Sequence, residues 1–433
     1  MDKLQSHAAS DGLIRSNPVE RPRLPRSVIK REAILLVGLA IATVAILIWR
    51  RPDQLLHPYV WVEEGTITLP AFLHHGWLSL FYPVQGYLVL PSKLIFLLAA
   101  TLSFAHLPVL TYWLTVVFTF LVVVCVARCP TYLRWPVACA VALLLIPTDA
   151  EVFAVSEYAF WWGIVLLLVA LLWRPEARQT PLRAILTVIG GGSSPLVIPL
   201  AGLFLVRACL LSTKREWVIF GIAAAMAIIQ AACLIVTGNI SHNSHGIIAS
   251  INLPMLLEKF FGWFVFWSKH SRVGTWRAML IGTVVIVVLA TAAFRNRRKL
   301  NVGTLLLVAC LVIVIAASVA RAPLASIHPV LAGPRYFFLP YIVLAWLLIQ
   351  AAHMSGTRGR VLIALLLISA LHQTLQYGRR YQDPIDWQAQ LHACATSSKP
   401  YNLPIQFDGS HARIWHVTLN GSDCSELLSR SLF

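Results

Sequence analysis

The sequence predicts an all-α polytopic membrane protein carrying a small C-terminal α/β appendage, and three observations predict it. Of 433 residues, 58% are hydrophobic and only 12% charged, with a mean hydropathy of +0.73; ordinary soluble domains carry roughly 25% charged residues. Apolar runs long enough to cross a ~30 Å hydrocarbon core, about 20 residues each, recur from Ala33 to Leu375. Runs such as Gly303 to Ala320 are apolar on every side, whereas the strands of a membrane β-barrel would alternate. A water-soluble enzyme, a coiled coil and a disordered tail protein are excluded by the same composition. The net charge of +17, from 35 Lys+Arg and 18 Asp+Glu, would suggest nucleic acid in a soluble chain. Here it reads as a topology signal, and no nucleic-acid partner is expected.

Cytoplasmic loops collect Lys and Arg, and the elements follow in order from that rule. Residues 1–32 form a basic cytoplasmic tail with Lys3, Arg15, Arg21, Arg23, Arg26, Lys30 and Arg31. The first span, Ala33 to Trp49, has no small-residue cleavage site after it and reads as a retained helix. Leu88 to Ala105 reads as a juxtamembrane or re-entrant helix before the full span Leu107 to Ala127. Spans at Trp135 to Pro147 and Ala159 to Trp173 come next. Leu182 to Val206, interrupted at Gly190-Gly191-Gly192-Ser193-Ser194-Pro195, reads as a hairpin of two half-helices, since broken backbone at membrane depth is tolerated where protein covers it. Trp217 to Val236, Ala278 to Phe294, Val302 to Ala320, Tyr336 to Ala352 and Val361 to Leu375 complete about nine full spans. The membrane domain is thus 33–375, with outer loops 50–87 and 237–277 and an outer tail 376–433. The N-terminus is inside and the C-terminus outside. Basic clusters at Arg174/Arg178/Arg183, Arg207/Lys214/Arg215 and Arg295/Arg297/Arg298/Lys299 all fall inside, while Asp53, Glu63, Glu64, Asp149, Glu151, Glu157 and Glu258 fall outside. Leu253 to Trp267, rich in aromatics, suits a helix in the headgroup layer, and Asn402 to Phe407 and Arg413 to Leu419 read as strands of the tail.

Long loops on a rigid scaffold are where function concentrates. The first holds Trp61-Val62-Glu63-Glu64-Gly65, then His74-His75, then Gly86-Tyr87-Leu88 leading to Pro91-Ser92-Lys93. Two adjacent carboxylates repel, so one holds its proton more tightly, which suits a general base or a cation ligand; a solvated acidic turn is the plain alternative. His74-His75 and His242 with His245 could meet a metal or a phosphate, or be solvated. Asp149, Glu151 and Glu157 precede Tyr158-Ala159-Phe160-Trp161-Trp162, and ionisable groups at a bilayer boundary beside aromatics face a cavity. Gly333-Pro334-Arg335-Tyr336 places an arginine where it could hold a phosphate in a fork or snorkel at a helix end. Cys394 and Cys424 are the two cysteines of the tail, and an oxidising compartment would join them in a disulfide. The other six read as small hydrophobes, and no CxxC pairing points to structural zinc.

Together these motifs resemble the GT-C glycosyltransferases, multi-pass enzymes that use polyprenyl-phosphate sugars and include protein O-mannosyltransferases and the aminoarabinose transferases of lipid A. Trp61-Val62-Glu63-Glu64-Gly65 with Gly86-Tyr87-Leu88 and Pro91-Ser92-Lys93 is similar to the pattern W-x-E-D-G … G-Y-L-x-x-P-R of uncharacterised bacterial relatives. The Glu151 loop, the Gly191 to Pro195 break and Gly333-Pro334-Arg335-Tyr336-Phe337-Phe338 follow in the same order. Glu64 stands where the pattern prefers Asp, and Lys93 where it prefers Arg; the tail matches nothing. The resemblance implies an inverting sugar transfer on the outer face of the bacterial cytoplasmic membrane, from a polyprenyl-phosphate donor to an envelope glycan, lipid or protein. Glu63 or Glu64 would be the base and Glu151 the second carboxylate. Lys93, Arg272 and Arg335 would meet the lipid phosphate, with Tyr87, His75 and Tyr336 beside the substrate. No cofactor is expected, a divalent metal being the open alternative because relatives with lipid pyrophosphate donors bind one. A transporter or flippase would also have broken helices, but no paired break marks a second half and almost no ionisable residue lies mid-span. A non-catalytic partner in envelope polysaccharide assembly is the third reading.

Overall fold

The computed structural model describes residues 26–239, 252–267, 274–407 and 414–429. Two compact units divide the chain, residues 1–38 and residues 39–433. In the first, the described residues form the beginning of helix α1 (Arg26–Arg50), with Ile34 and Val37 exposed.

Among the described residues, seven helices are long and apolar enough to cross a membrane: Lys30–Arg50 of α1, then α5 (Leu107–Arg128), α10 (Lys214–Val236), α13 (Gly274–Arg295), α14 (Val302–Arg321), α15 (Arg335–Met354) and α16 (Thr357–Tyr377). Their exposed faces are apolar, carrying Val117 and Leu121 on α5, Ile228 and Ile235 on α10, and Leu362 and Leu365 on α16. In water that surface would be untenable, so these helices belong in lipid. Helix α15 is the interior one: 94% of its apolar window is buried, against 17% for α10.

The count departs from nine spans at two places. Helix α6 (Pro136–Leu144) has 9 residues and α7 (Ala159–Leu171) has 13. At ~1.5 Å per residue, the longer covers about 20 Å, short of a hydrocarbon core. Helix α6 starts at a proline and stops at Leu144 because the next carbonyls have another partner. The buried Arg50 guanidinium donates to Leu144 O at 2.9 Å, Thr148 O at 3.1 Å and Ile146 O at 2.5 Å. Every residue of α7 except Trp161 is buried, so its continuous apolar sequence reflects a core position.

The juxtamembrane or re-entrant helix expected at Leu88 to Ala105 and the break expected within Leu182 to Val206 meet each other. Helix α4 (Leu90–Leu102) follows a short N-terminal group made of α2 (Pro52–Leu56) and α3 (Leu69–His75). Helices α8 (Thr180–Gly191) and α9 (Val197–Leu211) flank the Gly-Ser-Ser-Pro break. Leu90 N donates to Gly192 O at 3.0 Å. Buried Gln230 of α10 binds both, accepting from Leu88 N at 3.0 Å and donating to Leu88 O at 3.1 Å and Gly191 O at 3.2 Å. One side chain thereby satisfies backbone that two helix breaks leave open.

The far ends of α8 and α9 converge on Glu216. Arg183 donates to both carboxylate oxygens at 2.8 and 2.9 Å, and so does Arg207, at 2.8 and 2.9 Å. Each arginine also caps the end of α7, through Ala170 O at 2.8 Å and Leu171 O at 3.0 Å. Since the start of α8 and the end of α9 share one carboxylate, the pair turns back on itself. These arginines, read as topology charges, are buried structural groups.

Leu253 to Trp267 forms α11 (Leu253–Leu256), a π turn Leu257–Gly262 and α12 (Trp263–Val265). It packs closely on α13, where a Cβ on Gly262 would lie 2.0 Å from Ala278 O. Lys259 is buried and donates to Leu324 O at 2.6 Å and Ile327 O at 2.8 Å. The aromatic content predicted for a headgroup helix therefore packs against protein.

The tail comprises α17 (Trp387–Ala395), strands β1 (Tyr401–Phe407) and β2 (Ile414–Leu419) in an antiparallel pair, and α18 (Gly421–Ser429). Cys394 and Cys424 are bonded, 6.0 Å apart at Cα. It is no free appendage. Trp387, Leu391, Leu403, Ile405, Val417 and Leu427 share one core with Val60, Leu69, Phe96 and Phe104, a thin α/β unit completing itself on the first loop.

Candidate functional site

The first loop is anchored before it presents its acids. Arg51 and Asp53, both fully buried, bond at 3.1 and 2.9 Å, and Tyr59 Oη donates to Asp53 at 3.0 Å. Trp61 then stacks edge-on against Tyr158 at 5.2 Å. A π-helical turn, Glu64–Thr68, follows; such turns are rare and often mark functional sites.

Neighbouring residues on a helical turn point in different directions, and that separates the two carboxylates. Glu64 is buried: Oε2 accepts from Trp61 N at 3.1 Å, and Oε1 accepts from Ser156 Oγ. The Glu157 amide also donates to it. Burial pushes its pKa up to about 7, against the pull of the Ser156 and Trp61 hydrogen bonds. Its role is to fasten the first loop to the turn before α7. Glu63 faces the other way, into a cavity of 360 Å³. Its Oε1 accepts from Gln85 Nε2 at 3.1 Å, and its Oε2 is buried without a partner among the described residues.

Gln85 belongs to a tight turn that the cavity requires. Val84 and Tyr87 exchange backbone hydrogen bonds at 2.9 and 3.1 Å, and both central residues have positive φ, 49° at Gln85 and 93° at Gly86. Gly86 is needed twice over, because a Cβ there would fall 2.3 Å from Asn239 Nδ2. Tyr87 lines the cavity and meets Phe160 edge-on at 6.0 Å. Burial pushes its hydroxyl up to about 12.

Arg335 and Tyr336, at the start of α15, also line the cavity. Arg335 donates to Glu151 Oε1 and, at 3.2 Å, to Tyr158 Oη, which itself donates to Glu151 at 2.9 Å. Glu151 stands behind Arg335 and orients it; the cavity wall does not include it.

Other sequence candidates lie elsewhere. Lys93 is buried, and its ammonium is taken by Ser79 O at 2.7 Å and Tyr82 O, so it braces the loop rather than facing the cavity. His75 is exposed at the end of α3 and stacks on Tyr82 at 4.4 Å. Arg272, His242 and His245 lie outside the described residues.

Three more groups line the cavity: Glu157 of the Asp149, Glu151 and Glu157 group and Trp161 of the aromatic run after it, both named in the sequence but given no role there, and Arg321, which was not singled out. Glu157 is 4% exposed, and its carboxyl has no hydrogen-bond or ion-pair partner among the described residues. Burial, then Glu64 and Glu63, push it well above the ordinary carboxylate range. Trp161 lines the cavity with a buried Nε1 that has no partner among the described residues. Arg321, the last residue of α14, reaches the cavity, and among the described residues no carboxylate pairs with it. An arginine closing an apolar run just before Ala322-Pro323 was the available signal. Ser194, Pro195 and Leu196 of the helix break form another wall, and Val314, Ala317 and Leu339 an apolar one. Among the described residues no three His, Cys, Asp or Glu side chains gather as a metal site.

Comparison of the chain with protein-family models, curated proteins and solved structures finds no match in any of the three.

Proposed function

We propose that this membrane protein is an inverting glycosyltransferase that takes its sugar from a polyprenyl-phosphate carrier and delivers it to an envelope glycan, lipid or protein, at the outer face of a bacterial cytoplasmic membrane. The observation that carries the reading is the mixed lining of one cavity. It offers carboxyl groups at Glu63 and Glu157, guanidinium groups at Arg321 and Arg335, aromatic rings at Tyr87, Trp161 and Tyr336, and an apolar wall at Leu196, Val314 and Leu339. A phosphate, a sugar and a lipid chain each find matching chemistry there.

In this reading Glu63 Oε2 removes the proton of the acceptor hydroxyl as that oxygen attacks C1 of the sugar. The bond from C1 to the phosphate oxygen breaks, its electron pair stays with the phosphate, and the anomeric centre inverts. Gln85 holds Glu63 in place, while Arg321 and Arg335 offset the charge that grows on the phosphate. Arg321 takes the part that the motif resemblance gives to Lys93, and Glu157 stands in the cavity where Glu151 was expected.

Deleting the gene and complementing it with wild-type or Glu63→Gln protein tests this, with mass spectrometry of envelope glycans and lipids as readout. One sugar substituent should vanish on deletion and return only with wild type. An unchanged glycan profile together with accumulated precursor on the inner leaflet would favour a flippase instead. Impermeant labelling of Arg297→Cys in intact cells should fail, and success would reverse the orientation.

A further inference from the structure

We propose that Glu157 occupies the cavity as a neutral carboxylic acid and donates a hydrogen bond to an anionic oxygen of the bound ligand, which in the reading above is the carrier phosphate, so this inference rests on that reading. Its position follows from how completely its backbone is committed. The Glu157 carbonyl accepts from Ser92 Oγ at 2.6 Å, and its amide donates to Glu64. Ser92 Oγ in turn accepts from Phe160 N at 3.1 Å. The residue is held from both sides, in the Ser156–Tyr158 turn just ahead of α7, and only its carboxyl reaches the cavity.

The groups around that carboxyl favour its protonated form. Glu63 and Glu64 approach from the first loop, and both disfavour a second negative charge. Lys93 of α4 attracts it, but that ammonium is already shared between the carbonyls of Ser79 and Tyr82. Tyr158 is on its own turn, and Tyr87, Arg321 and Arg335 stand around the same cavity. Arg335 is engaged by Glu151. A neutral acid here carries one O–H donor for which the described residues offer no bonded acceptor, a costly state for a buried polar group unless something else fills the cavity. An anionic oxygen held by Arg321 would be that acceptor, and a charge-assisted hydrogen bond would result.

The test uses the full chain in lipid nanodiscs and dodecyl methyl phosphate, a phosphodiester whose single negative charge does not titrate in the working range. Wild-type affinity should fall as pH rises and Glu157 ionises. Glu157→Gln, which keeps an N–H donor at the same place, should bind at every pH about as wild type does at low pH. Glu157→Ala should bind roughly tenfold more weakly at low pH, the worth of one hydrogen bond to a charged group. Arg321→Ala should weaken binding in every background. If Glu157→Gln retains the wild-type pH dependence, or Glu157→Ala binds as wild type, the assignment of Glu157 is overturned while Arg321→Ala still reports a phosphate site. If wild type does not bind the probe, the lipid-phosphate reading falls and this inference falls with it.

Discussion

Gly65→Ala is the most direct probe of whether the tail holds the carboxylate loop in place. A Cβ on Gly65 would lie 2.6 Å from Ile405 Cδ1, 2.8 Å from Cγ2 and 3.3 Å from Cβ. Carbon atoms prefer roughly 3.5–4.0 Å, so two of the three contacts are about 1 Å too close. Ile405 is fully buried in the core shared by tail and loop and is branched at Cβ, which leaves it few rotamers to escape into. Overpacking of this kind costs about 1–3 kcal/mol. The strain falls one residue from Glu64 and two from Glu63, so on the proposed function sugar transfer should decline as well. Ile405→Ala removes the clashing atoms and by itself costs about 2–5 kcal/mol. In the double mutant the added methyl enters the space thus vacated. Its destabilisation should be smaller than the sum of the single effects by about 1–3 kcal/mol. Denaturant unfolding in mixed micelles, with all four proteins in parallel, gives the cycle. Additivity within about 0.5 kcal/mol would mean that Gly65 and Ile405 do not meet and that the docking of tail on loop is wrong.

Four further outcomes are expected. Glu63→Gln should lose about 10²–10⁴-fold in transfer, the range for a general base, with unfolding unchanged; full transfer activity would remove Glu63 from that role. Glu64 has its pKa raised from 4.5 to about 7 by burial, so the stability it contributes is complete below about 4.5 and lost as pH rises through about 7. Melting temperature measured against pH should lose that component in Glu64→Gln, and an identical profile would contradict it. Glu216→Ala leaves Arg183 and Arg207 buried without their carboxylate and should cost about 3–5 kcal/mol, whereas a change under ~1 kcal/mol would place the cluster in contact with water. Replacing Cys394 and Cys424 with serine opens a loop spanning 30 positions, worth about 3–4 kcal/mol; proteolysis should then cut the tail, and resistance equal to wild type would argue against it.

The apolar runs made most of the membrane architecture legible, because seven of the expected spans are long enough to show by length alone. Two form shorter helices than their apolar runs suggest, for a physical reason. Segments buried wholly in protein are as apolar as lipid-facing ones, and only the Arg50 contacts reveal why α6 ends early. Within the site, Glu63, Tyr87, Arg335 and Tyr336, all singled out by their motifs, line one cavity, but adjacency could not say which of Glu63 and Glu64 points inward. Lys93 shows the same limit: its charge is visible in sequence, while the carbonyls that take it up belong to a fold. The tail's docking had no local signature at all, since Ile405 and Gly65 are far apart along the chain and meet only through packing.

The Arg183, Glu216 and Arg207 cluster bears on the order in which the protein can assemble. As the chain is synthesised from its N-terminus, both arginines emerge before the carboxylate that neutralises them, Glu216 following Arg183 by 33 positions and Arg207 by 9. Until α10 arrives, the α8 and α9 pair carries two uncompensated guanidinium groups, and withdrawing them from water is expensive. The pair is therefore expected to reach its final packing together with α10. Gln230, on that same helix, then closes the backbone of both breaks, so the arrival of one helix completes the charge and the hydrogen bonding of the hairpin in a single event. A ribosome-stalled chain ending before Lys214 should accordingly leave Arg183 and Arg207 open to water-borne reagents, and one extended past Val236 should not.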